Sequence, residues 1–166
     1  MTELELFRKT WNREHERTMR LLESLPRDQY DFRPDPDGRS LGEMAWHLAE
    51  GEGYGTFAIE RGGFVRDAKP PGLERPRKIE EIAPAYERVH RDAVARIDKI
   101  REEDLDRSIA FFTGNPSAIR DILWDSMLLH GVHHRGQLTL LARQAGGKPS
   151  SAFGPGRESA PLRRAS

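Results

Sequence analysis

The stretch Leu128–Leu138, "LLHGVHHRGQL", decides how this chain is read. It holds His130, His133 and His134, half of the six histidines in the sequence. Apolar residues flank it at helical spacing: Ile119, Leu123 and Met127 before, Leu138 and Leu141 after. Together with His130 and His134 they advance in steps of 4, 4, 3, 4, 4 and 3, which is one face of an α-helix. The pattern predicts a helix over 117–145, closed by the "AGG" C-cap. Two imidazoles thus fall on the stripe that a soluble helix buries. A buried ring must find partners for both nitrogens or lose free energy that an apolar residue would keep. Two such rings on successive turns are either separately hydrogen-bonded core histidines or share one partner. A divalent cation is such a partner, and neutral imidazole is its commonest protein ligand.

Working outward, three more amphipathic segments appear. The first, over 3–24, carries Leu4, Phe7, Trp11, Thr18 and Leu22 on one face. Pro26, Pro34 and Pro36 break the chain after it. The second, over 40–61, opens on "SLGE", a capping box in which Ser40 and Glu43 exchange backbone contacts. Its glycines, Gly51, Gly53 and Gly55, mark either close helix approach or a bend. The third, over 79–101, carries Ile79, Ile82, Tyr86, Val89, Ala93, Ile97 and Ile100, with Pro84 in about its first turn. A short β-like stretch falls at 109–113, and residues 146–166 read as a loop-like tail. The expected fold is all-α: one domain over 1–166, a four-helix bundle with at least one longer crossover.

The second segment adds a third imidazole. His47 lies beside the inward-facing Met44 and Leu48, and sites in bundles are built from projections of facing helices. Three histidines with open coordination positions match the general form of a catalytic rather than a closed structural site. His133 lies on the flank of the fourth helix and reads as support, with Gln137 one turn on to hold its ring. His15 and His90 read as packing residues of the first and third helices. Glu50, three residues after His47 and on the same face, is the candidate proton acceptor or supporting residue. Trp46 and Tyr54 read as core or pocket lining.

Other chemistries are excluded by what is missing. There is no cysteine, so disulfides, thiolate-bound zinc and a cysteine nucleophile all fall away. Gly131 follows His130 where a zincin needs glutamate. Only "ERVH", Glu87 to His90, has the di-iron spacing, and it occurs once. With 27 basic and 27 acidic residues the net charge is zero, which gives no field for nucleic acid. No stretch approaches a membrane span, so a soluble, cytoplasmic protein is expected.

"RSLGEMAWHLAEGE", "HGVHHRGQLTLLARQAG", the trailing "GKPSSAFGP" and the early "LPRDQYDFRP" together resemble the DinB-like family of four-helix bundles. The resemblance covers nearly the whole chain. It implies three metal ligands, here His47, His130 and His134, around a divalent ion, often nickel or zinc, completed by water. It also implies a homodimer. Family members with known activities include S-transferases that use a low-molecular-weight thiol, and a related isomerase. The functional expectation is a metal-dependent enzyme, a thiol-dependent S-transferase or a small-molecule hydrolase. The competing expectation is a non-catalytic metal- or ligand-binding stress protein. The family's DNA-damage name describes induction, and this neutral chain gives no support for DNA binding.

Overall fold

The computed structural model describes residues 1–156. Helix α1 (Glu3–Glu23) starts at a capping box. Thr2 Oγ1 accepts from Glu5 N at 3.2 Å, and Glu5 Oε2 accepts from Thr2 N at 2.8 Å. Helix α2 (Leu41–Arg61) opens on the expected Ser40–Glu43 box and ends at Gly62, whose φ of 77° needs no Cβ. Each box satisfies backbone donors that a helix start leaves unpaired, worth about 1 kcal/mol. The glycines of α2 serve close approach, because the helix runs through them unbroken. A Cβ on Gly55 would lie 2.7 Å from Met127 Cγ of the fourth helix.

Helix α3 (Ile79–Ile97) is shorter than its apolar stripe. The Ile97 carbonyl accepts from Arg8 Nη2 at 2.9 Å and from Ile100 N at 3.0 Å, so the chain tightens into turns there. Pro84 sits inside α3 with its ring exposed, rather than in the first turn. A hairpin follows, β1 (Ser108–Phe111) antiparallel to β2 (Asn115–Ala118), with Ser108 opposite Ala118. The strand signal at 109–113 is therefore half of a pair, and its partner displaces the start of the fourth helix from Ser117 to Ile119.

That helix, α4, is one rod in three stretches: an α-turn Ile119–Asp121, a π-helical stretch Ile122–Leu129 and an α-helix His130–Gln144. Its π stretch buries the pairs Ile122/Leu123 and Met127/Leu128, five residues apart, as i→i+5 bonding allows. The tail is irregular as expected up to residue 156, with Ser150 N donating to Ser24 Oγ at 2.9 Å. Residues 157–166 of that expectation lie outside the described residues.

Helix α2 packs on α3 and α4, and α1 packs on the same two. The sequential pairs α1/α2 and α3/α4 therefore sit diagonally, which is why both connections between them are long. Two apolar clusters fill the bundle. One gathers Leu21, Trp46, Ile82 and Leu138, the other Phe7, Trp11, Ile97 and Leu123. Between them every helix contributes buried polar side chains: Glu14 and Thr18 from α1, Glu52 from α2, His90 from α3 and Arg135 from α4. Among the described residues no helix is long and apolar enough to cross a membrane.

Candidate metal centre

The adjacency of α2 and α4 brings the three expected histidines together. One ring nitrogen from each of His47, His130 and His134 lies within 4.8 Å of the others. His134 Nε2 and His130 Nε2 are 2.9 Å apart, and the His47 ring stands edge-on to both, with centroids at 5.1 and 4.6 Å. All three are half-buried rather than deep in the core stripe.

Two of the three far nitrogens are already occupied. His47 donates Nδ1–H to Glu50 Oε2 at 3.1 Å, and His134 donates Nδ1–H to Gln137 Oε1 at 2.8 Å. These bonds fix both tautomers and leave the Nε2 lone pairs for a ligand, the arrangement that orients metal-bound histidines. Gln137 uses its amide nitrogen on the ring of exposed His133, at 3.0 Å. One side chain thus steadies two rings. Burial is the main force that keeps His130 uncharged. The neighbouring His134, His47, His133 and Arg39 add to it, and its pKa is pushed down to about 4. His134 is lowered for the same first reason, against an opposing pull from Gln137. Neutral imidazoles with converging lone pairs are the donor set that a borderline divalent cation takes.

The His47 and His130 rings stand between two spaces. Outward lies a cleft of about 570 Å³, lined by His47, Glu50, Tyr54, Arg39, Asp125 and Phe112. Burial and the Glu50 charge raise the Tyr54 hydroxyl, so it stays protonated and able to donate. Phe112, at the hairpin tip, is 53 % exposed and holds a φ of 22°, a backbone state that costs a phenylalanine about 1–3 kcal/mol. Inward lies a cavity of about 20 Å³, reached by His47, His130, His15, Glu52, Tyr86 and Arg135.

Behind that cavity is the polar layer. Glu52 accepts from Tyr86 Oη and from His90 Nδ1, both at 2.7 Å. Burial and the Glu52 charge hold the Tyr86 phenol protonated. His90 stacks on His15 at 3.6 Å, and His15 donates Nε2–H to Glu87 Oε2 at 2.9 Å. Arg135 spans α4 and α1, donating to Glu14 Oε2 at 2.5 Å, to the Glu14 carbonyl at 3.0 Å and to Thr18 Oγ1 at 3.2 Å. It pins the turn that carries His134. The sequence reading did not single out Glu14, Glu52 or Arg135. The signal was present, since each occupies an apolar-spaced position: Leu4, Phe7, Trp11, then Glu14; Ala45, Leu48, then Glu52; Arg135, then Leu138 and Ala142.

The DinB family profile matches residues 1–161. The chain belongs to the DinB family. The protein YrdA of Bacillus subtilis (strain 168), itself uncharacterized, is 27% identical over 158 residues, 93% of this chain and 90% of that one. A DinB-like protein from Bacillus cereus ATCC 10987 superposes with a TM-score of 0.73 at 27% identity, covering 90% of this chain and 97% of that one. The DinB-like protein YjoA of Bacillus subtilis gives 0.69 at 23% identity, over 88% of this chain and 96% of that one, and shares the fold. In this DinB chain the three histidines form a group that could hold a metal ion.

Proposed function

We propose that His47, His130 and His134 hold a zinc or nickel ion in a metal-dependent enzyme acting on small molecules. Thiol-dependent S-transfer is the preferred reaction, and hydrolysis the second. One observation carries this reading. Three imidazoles converge from two helices, two of them with their far nitrogens held by Glu50 and Gln137, beside a cleft of small-molecule size. Three protein ligands leave a tetrahedral ion one open position. When bound, such an ion favours the deprotonated form of a thiol or water at that position. Glu50 keeps one oxygen on His47 and lines the cleft, where it is placed to take the departing proton. Tyr54 supplies a protonated hydroxyl to a developing negative charge. Gly131 stands where a hydrolytic zincin keeps its glutamate, which weighs toward S-transfer.

We place this activity in the cytoplasm, where low-molecular-weight thiols are kept reduced. As partner we propose a second copy of the chain, docked on the α4 face where Leu129 and Leu140 stand exposed. The activity test is conjugation of a reduced thiol to 1-chloro-2,4-dinitrobenzene by untagged, metal-analysed protein. Turnover that disappears on chelation and in His134→Ala supports the proposal. Metal-loaded protein no faster than the uncatalysed reaction, with glutathione or with cysteine, ends it for S-transfer.

A further inference from the structure

Among the described residues, Arg39 is a cation without a counter-ion. It immediately precedes Ser40, the N-cap of α2, where the positive end of the helix dipole disfavours it. Its neighbours Arg33 and Arg75 share Glu43 at 2.7 and 3.7 Å, while Arg39 makes no hydrogen bond or ion pair among the described residues. Instead it lines the outer cleft together with His47 and His130. Phe112 lines the same cleft, with its ring exposed in a strained backbone state. Phe64 braces that ring at 4.3 Å, and Phe64 N is tied to the hairpin by a 2.8 Å bond to the Ala110 carbonyl. Tyr54, 6.2 Å from Phe64, completes an aromatic wall.

A solvent-exposed cation at the unfavourable end of a helix dipole and a strained, exposed ring both face the cleft beside the histidines. We propose that the cleft binds a small carboxylate with an aromatic or similarly broad apolar body, its carboxylate on Arg39 and its body on Phe112 and Tyr54. This rests on the proposed enzyme only in naming such an anion as the molecule presented to the triad. Two carboxylates also line the cleft. Glu50 is held by His47, and Asp125 repels a second carboxylate, which directs the anionic end of the ligand to Arg39.

The test is equilibrium binding of 2-naphthoate and its neutral amide, 2-naphthamide. It uses zinc-loaded and chelator-treated full-length protein: wild type, Arg39→Gln and Phe112→Ala. We expect wild type to prefer the acid by about tenfold or more, the strength of a charge-assisted contact. Arg39→Gln should bring the two ligands within about twofold of each other, while Phe112→Ala weakens both alike. Equal binding of acid and amide by wild type overturns the proposal, as does no binding of either. A preference that survives in Arg39→Gln but needs zinc also overturns it, because the carboxylate then sits on the metal. If the protein takes up no zinc, the metal reading fails by itself, and the Arg39 dependence is still read in chelator-treated protein.

Discussion

Gln137 and Glu50 decide which nitrogens face the centre, so their loss should be felt as affinity rather than as fold. Gln137→Leu is expected to weaken zinc binding by about 10–100-fold, read by competition with a chromophoric chelator. His134→Ala should lose stoichiometric metal, and an unchanged metal content by elemental analysis would show the centre misplaced. Protons compete for the same rings. The folded pKa of His130, about 4, lies below the ordinary histidine value of 6.5, so the unfolded chain binds the proton first as pH falls. The stability contributed by neutral His130 is therefore complete above pH 6.5 and is lost as pH falls through about 4. Metal-free wild type should lose more melting temperature across that window than His130→Gln does. Burial raises the Glu14 carboxyl, but its bonds to Arg135 and Arg17 outweigh this and leave it below 4.5, so Glu14 adds a further loss as pH falls below 4.5. Arg135→Met alone leaves the Glu14 carboxylate only its bond to Arg17 and should cost about 1–3 kcal/mol in urea unfolding. Among the described residues His15 Nδ1 is buried without a partner, and its ring lines the 20 Å³ cavity, which has room for one water. A high-resolution crystal structure should show a water there bonded to His15.

At the scale of elements, the long periodic segments were legible and the departures from period were not. Three helices begin within one residue of their expected starts, because caps and apolar stripes are local signals. The triad was legible for the same reason: Leu128–Leu138 and the His47 helix carry it on their own spacing. The π stretch was missed, because a search for steps of three and four passes over the five-residue recurrence in "ILWDSMLL". Strand β2 was missed because Asn115 and Pro116 are poor strand formers, held only by pairing to β1. Whether the glycines of α2 bend it or admit a neighbour is a tertiary question, answered by Met127 against Gly55. A larger residue at that contact must push α2 from α4 and so spread the histidines. Gly55→Val is expected to destabilise by about 1–3 kcal/mol and to weaken metal binding in the same titration.

In the whole molecule, the diagonal placement of successive helices explains why two histidine groups form and stay separate. His47, His130 and His134 meet where α2 faces α4, while His15 and His90 meet where α1 faces α3. Helix adjacency is not written in any one stripe, so the second meeting was invisible in the sequence. The polar layer between the two apolar clusters has an effect beyond the histidines. In a bundle with plain apolar stripes, a helix can slip one turn along its neighbours and find nearly equivalent holes. Here a slip of α4 by one turn would press the Arg135 guanidinium into leucines and leave Glu14 without its partner on α4. Replacing the pair together, Glu14→Met with Arg135→Met, should leave thermal stability equal or higher. The same variant should broaden the amide NMR spectrum, as chains settle at more than one axial offset. The layer thus works as a ruler laid across the four helices, and it sets His47 at the height of His130 and His134.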